Sequence, residues 1–479
     1  MHINELPSEI LSEILLLATK ANEAEGESFT YGQAQTPVPG EKVKLSKYVR
    51  GPVSADSLRW DTTFSIRQVC SAWHEWALPY IFERLFEQRW RGAEKWADLT
   101  LQRRKYAFYE LNTSRRGVPV YRDPFGSLKH TDQLFTDVPS NANHVQRLWF
   151  NGFHTSQSDK LILSVVASCH ELQFLSVPWT VLRRGSVDDW VDLLNVNTGE
   201  GRPLHSLEIT AVTLPQDQAA CLANDSTPCA LADPLVDFSG LRRLKFFGNT
   251  MNKPICDRDL ELIARSATGL ECLDFTNLST ISVAGMLSLV RASRDTLEVL
   301  EHSPRSDDGF YHPFPGYIDE HVCEFIASLP RMRDLSMSVP YMCADLFANH
   351  EVKWRGDCQV RTTDICGCGS KSGAHTRIAK LRETLTAARE LIKARRRMGH
   401  KLSIEIFFAD CIFDPENKLV HGDFALAEIS SHGQWPLHRQ ASTKGPYGTS
   451  GVYEKEEGLW DAVSEEEYLN AVGRHWISL

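Results

Sequence analysis

Long hydrophobic runs are missing from this chain. No stretch of about 18–20 uninterrupted apolar residues occurs, so a membrane-spanning helix is not expected. Positive charge is in deficit: 52 Lys and Arg stand against 62 Asp and Glu, a formal net charge of -10. General nucleic-acid binding needs a concentrated basic surface to displace phosphate counterions, and this balance argues against it. No G-x-S-x-G elbow, Walker loop or H-E-x-x-H pair is present, which removes three common signatures of enzyme chemistry. The apolar run 10–18 is interrupted by Glu13 and followed by no small-residue cleavage site, so no secretory leader is expected. The 12 cysteines are scattered singly, a pattern that suits reduced thiols in the cytoplasm or nucleus better than a disulfide framework.

What is present is a folded composition, 42% hydrophobic and 24% charged over 479 residues. That length suits several domains or one extended solenoid. The chain opens INELPSEILSEILLLA, where Ser8 caps a predicted helix over 9–20. Leu6, Ile10, Ile14 and Leu17 share one face of it, a stripe that an ordinary buried first helix would also carry. Residues 21–62 hold Pro37, Pro39 and Pro52 among glycines and mixed charge, and read as a mobile insertion. FSIRQVCSAWHEWALPYIFERLF follows, with Ile66, Val69, Cys70, Trp73 and Ala77 at helical spacing and Pro79 opening a further short helix.

LPSEIL followed by IRQVCSAWHEWA resembles the F-box, in the version common among fungal F-box proteins. The resemblance implies a small helical bundle over 1–83 that docks on the Skp-type adaptor, and through it the cullin, of an SCF ubiquitin ligase. Its adaptor-facing candidates are Leu6, Pro7, Ile10, Ile14, Val69, Cys70 and Trp73. The chain departs from the pattern where the insertion replaces a compact middle helix, for which only 57–63 could stand in.

From about residue 145 a short unit of the form x-x-Leu-x-apolar recurs, around Leu148, Leu175, Leu207, Leu244, Leu273, Leu300, Leu335 and, with Ile for Leu, Ile404. Most gaps are about 27 to 37 residues, the range of repeats that stack a strand and a helix. Between them lie amphipathic segments such as DRDLELIARSATG and DEHVCEFIASLPR, each opening on a capping residue, Asp257 and Asp319. The fold class expected is α/β: the helical bundle, an irregular bridge over 84–144, then a curved β-α solenoid over 145–432 similar to irregular leucine-rich repeats. An unrelated α/β domain is the competing reading. A solenoid offers a long concave surface for a protein target, and Trp149, Glu208, Lys245, Asp274 and Glu301 are its candidate solvent-facing contacts.

Cys358, Cys366, Cys368 and His375 lie in an insertion over 350–378 and are of ligand types that suit a structural zinc. The C-x-C spacing is tighter than the usual knuckle, and a long loop with partly buried thiols fits as well. The run KLRETLTAARELIKARRR predicts a helix with Leu381, Leu385, Ala388 and Leu391 on one face and Arg395, Arg396 and Arg397 at its end. HGDF at 421–424 has no downstream Asn and no nucleotide-binding lobe, so it reads as part of a hairpin and not as a phosphotransferase loop. Residues 433–479 read mostly as a flexible acidic tail, with the end EEEYLNAVGRHWISL suited to a short helix that docks back onto the solenoid or binds a partner. The function expected is a non-enzymatic substrate receptor of a ubiquitin ligase; a repeat scaffold without that role is the alternative.

Overall fold

The computed structural model describes residues 3, 6–25, 63–89, 110–113, 119–122, 125–194, 203–212, 214–224, 229–248, 253–276, 280–303, 322–365, 374–408, 411–416, 419–422 and 461–474. The protein is mixed α/β and falls into two compact units. One is built from described residues up to Leu241 together with Lys253, and the other from the remainder, Arg242 onward.

The first unit begins with α1 (Ser8–Glu25), α2 (Phe64–Arg67) and α3 (Ser71–Glu83). Ser8 is the first helical residue and not the cap, since the Pro7 carbonyl accepts the Leu11 N–H. The single helix expected over Ile66 to Ala77 is broken at Cys70, whose backbone is extended and whose carbonyl opens α3. Pro79 lies inside α3 and does not start a new helix.

The chain then runs directly into β1 (Arg84–Gln88), a strand in the segment expected to be a bridge. Its Glu87 is buried and accepts hydrogen bonds from the Ser127 and Thr131 hydroxyls. A hairpin of β2 (Glu110–Thr113) and β3 (Pro119–Arg122) forms a separate two-stranded sheet. Residues 90–109 of the expected bridge lie outside the described residues. The helices α4 (Gly126–Asp137) and α5 (Pro139–Ala142) lead to β4 (Arg147–Asn151). Next come α6 (Ser156–Ala167), β5 (Phe174–Pro178), α7 (Trp179–Arg184), α8 (Val187–Leu194), β6 (Ser206–Thr210) and α9 (Gln216–Asn224).

Strands β1, β4, β5 and β6 are parallel neighbours in chain order. The register sets Leu85 beside Leu148, Leu148 beside Leu175, and Leu175 beside Leu207. The last three of these side chains are fully buried. Helix α6 starts at a capping box in which Thr155 and Ser158 satisfy each other's backbone N–H. Its Asp159 is buried and receives Arg184 Nη1 at 2.6 Å and the Thr180 hydroxyl at 3.1 Å, tying α6 to α7. Burial pushes the Asp159 carboxyl up to about 6, against the opposing pull of Arg184.

The second unit contains β7 (Arg243–Phe247), α10 (Asp257–Ala264), β8 (Cys272–Thr276), α11 (Val283–Ala292), β9 (Val299–Ser303) and α12 (Cys323–Ala327). It continues with β10 (Asp334–Met342), α13 (Asp345–Ala348), β11 (Gly356–Ile365), α14 (Ala374–Arg397) and β12 (Leu402–Phe408). Strands β7 to β12 are again parallel and in chain order. Leu244, Leu273, Leu300 and Leu335 are register neighbours, and Cys358 sits beside Ile404 two strands on. A second buried row, Phe246, Phe275 and His302, lies two residues further along each strand. The rings of Phe246 and Phe275 stack at 5.6 Å, and His302 meets Phe275 edge-on. Burial lowers the His302 ring to about 4, so it packs there as a neutral imidazole with a hydrogen bond to the Ser338 carbonyl.

Asp257 does not cap α10. Cys256 occupies that position and Asp259 accepts its N–H, while the Asp257 carboxylate accepts from the N–H and hydroxyl of Ser282 at the head of α11. Asp319, expected to cap α12, lies outside the described residues, and Val322 holds that place. The 350–378 segment contains the ten-residue strand β11 and the first turn of α14, so only its middle is an insertion.

After β12 the direction reverses. β13 (Cys411–Asp414), β14 (Leu419–Gly422) and β15 (Asp461–Ser464) add on antiparallel, followed by α15 (Glu465–Gly473). The hairpin expected around Pro415 is β13–β14. The tail expected to be flexible ends in a docked element: Tyr468, Leu469 and Ala471 are buried, Tyr468 meets Phe413 edge-on at 5.0 Å, and Arg389 of α14 pairs with Glu465.

Candidate interaction surfaces

Helix α1 presents two faces with opposite fates. At about 100° per residue, Ile10, Ile14 and Leu17 fall within an arc of roughly 60°, and Leu15 and Thr19 fall on the other side. The second set is buried, and on that side the Trp76 indole N–H of α3 donates to the Ser12 hydroxyl at 2.9 Å. The first set stays in solvent: Ile10 is 47% exposed, Ile14 38% and Leu17 59%. Val69, just before α3, is 55% exposed, and Ile3 is also exposed. Five of the nine exposed large hydrophobic residues among those described therefore fall within residues 3–69, and three of them share one face of α1.

Of the expected adaptor contacts, Ile10, Ile14, Val69 and Pro7 are exposed, and Leu6, Cys70 and Trp73 are half-buried. Leu17 and Ile3 are exposed as well. The stripe in the sequence already contained Leu17.

The five expected target contacts sit in register rows but not in solvent. Lys245, Asp274 and Glu301 are successive neighbours on β7, β8 and β9. Trp149 and Glu208 are neighbours at one remove, through Ser176. All five are 3–6% exposed. Trp149 packs on Phe174 at 4.9 Å, the Thr276 hydroxyl donates to Asp274, and the Ser336 hydroxyl donates to Glu301. Parallel neighbours stand about 4.8 Å apart, close enough for such side chains to satisfy one another. The row runs on through Ser336, Gln359 and Glu405, with Arg361 donating to both Ser336 and Gln359 and Gln359 donating to Glu405 at 2.8 Å. These later members follow the same strand position as Lys245 and were readable from Leu335 and Ile404; Gln359 was hidden because Cys358 replaces the leucine.

Of the four candidate metal ligands, only Cys358 has a described side chain. Cys358 is 1% exposed and faces the core beside Ile404. Cys366 and Cys368 lie outside the described residues, and His375 is in the first turn of α14. Among the described residues no group of three or more His, Cys, Asp or Glu side chains could hold a metal ion. No described helix is long and apolar enough to cross a membrane. Comparisons with protein-family models, with curated proteins and with solved structures found no match.

Proposed function

We propose that the chain is the substrate-recognition subunit of an SCF-type ubiquitin ligase, with the first helices gripping a Skp-type adaptor and a leucine-rich-repeat-like solenoid holding a protein target. The observation that carries this reading is the exposed face of α1. A helix that buries Leu15 and Thr19 and is tied to α3 through Ser12, while leaving Ile10, Ile14 and Leu17 in water, is built to be covered. The F-box resemblance names what covers it. The leucine register of strands in chain order supports the solenoid, since each unit buries its apolar face only against its neighbours. Such a receptor acts by proximity, raising the effective concentration of a target lysine near a conjugating enzyme, and needs no catalytic group of its own.

Co-purification with a Skp-type adaptor tests it. The wild-type chain is expected to retain the adaptor at one-to-one stoichiometry and an Ile10→Asp, Ile14→Asp variant to lose it. Equal retention, or none by a folded wild type, overturns the reading.

A further inference from the structure

The chain is acidic overall, yet one edge of its second unit is not. The strand starts of β10, β11 and β12 lie side by side there: the Arg355 N–H donates to the Arg333 carbonyl at 2.8 Å and the Gly356 N–H to the Lys401 carbonyl at 3.1 Å. The end of α14 is pinned to the same edge, because the buried Arg395 donates from Nε to the Trp354 carbonyl at 2.9 Å. Gly399, with φ +80, closes that helix: the His400 N–H returns to the Arg395 carbonyl and the Gly399 N–H to that of Arg396. This turn brings the chain from the end of α14 to Lys401, at the edge beside Arg355 and Gly356.

Lys353, Arg355 and Lys401 are exposed at this edge, and Arg331 and Arg397, close to it in the chain, are exposed too. Nearby carboxylates do not cancel them. Glu298 is engaged by Arg333, Glu416 by Arg396, and Glu390 by Lys393, with Arg397 also within its field. Among carboxylates whose side chains are described here, Asp334, half-buried and within the field of Arg355, and the exposed Glu351 remain.

We infer that this basic edge is a docking surface for an acidic segment of a partner protein. Three adjacent strand starts span about 10 Å, the reach of a few residues of peptide. A nucleic acid fits less well. Trp354, the aromatic residue between Lys353 and Arg355, is 0% exposed and offers no ring for base stacking, and a polyanion longer than the edge meets a chain of net charge -10. The inference stands apart from the adaptor reading, which concerns the first unit.

The test is fluorescence anisotropy of a labelled oligoglutamate peptide with the full chain. Binding is expected to weaken at least tenfold in a Lys353→Glu, Arg355→Glu, Lys401→Glu variant. It should stay within twofold in a control variant reversing three exposed cations elsewhere, Lys129→Glu, Lys160→Glu, Arg258→Glu. Equal loss in both variants, or no binding by the wild type at low salt, overturns the proposal. So does tighter binding of a single-stranded oligonucleotide of equal charge that the first variant abolishes. If Glu454→Gln, Glu456→Gln, Glu457→Gln raises the peptide's affinity more than tenfold, the occupant is the chain's own acidic stretch and the partner assignment falls.

Discussion

Gly285→Ala is expected to destabilise the α10–α11 pair, although alanine is the better helix former. A Cβ at position 285 would stand 2.7 Å from Cγ of Asp257 and 3.1 Å from its Cα. The carboxylate cannot step aside freely. Its Oδ1 accepts the Ser282 N–H at 2.8 Å and its Oδ2 the Ser282 hydroxyl at 2.5 Å, while the same hydroxyl accepts the N–H groups of Ala284 and Gly285. Displacing it loses two charge-assisted hydrogen bonds worth about 1.5–3 kcal/mol each, offset by about 1 kcal/mol of helix propensity. The net expectation is a loss of about 2–5 kcal/mol. In an Asp257→Ala background the carboxylate is gone, only the approach to the backbone of residue 257 remains, and the same substitution should cost less than about 1 kcal/mol. Native-state hydrogen exchange of the α10 and α11 amides reads both numbers locally. A coupling below about 0.5 kcal/mol across the four-variant cycle would show that the carboxylate is not what excludes a side chain from position 285.

Adjacent residues on α1 should behave oppositely. Leu15→Ala, at a position 2% exposed, is expected to destabilise the first unit by about 2–5 kcal/mol, while Ile14→Ala stays within about 0.5 kcal/mol in thermal unfolding yet weakens adaptor retention. Similar losses from both would mean that α1 has no free face. The Asp159 carboxyl has a folded value near 6 against 3.8 unfolded, so the folded state holds the proton more tightly. Its contribution is fully present below pH 3.8 and declines by about 3 kcal/mol as pH rises to 6. Asp159→Asn should remove that slope from urea-derived stabilities over this window, and an unchanged slope assigns it elsewhere. Tyr468→Ala, which empties the ring site against Phe413, should speed amide exchange in β15 and α15 while β8 and β9 keep their protection; uniform protection throughout would refute the docking of α15.

Much of the sheet was legible because one position in each unit carries a leucine that cannot be exposed, and eight of the strands follow from it. β1 was not, since RLFEQ continues the apolar rhythm of α3 and nothing local marks the change of period at Arg84. β11 was hidden by composition: Cys358 takes the leucine's place in the core, and cysteines in a polar run read first as ligands. Caps were misread wherever the true partner is remote in sequence, as with Asp257 and Ser282. The acidic start of α15 looked like a solvated end because Arg389, which neutralises Glu465, lies in a different helix. At the site, spacing alone supplied the α1 stripe, but which half of it faces water is decided by Trp76 and Ser12, a contact between helices that the sequence separates widely. The polar row failed for the opposite reason. Alternation along a strand tells which face a residue takes, and neighbours in the next strands decide whether that face stays wet.

The leucine ladder also tolerates unequal spacing. From Leu335 to Cys358 is a short step, and from Cys358 to Ile404 is twice as far, yet both keep their register with the strands beside them. Pairing strictly with the preceding and following strand makes each join indifferent to how much chain is looped out between them. A lineage could therefore lengthen, shorten or rewrite any one loop without renegotiating the rest of the architecture, and new specificities could be tried one segment at a time on a frame that does not change.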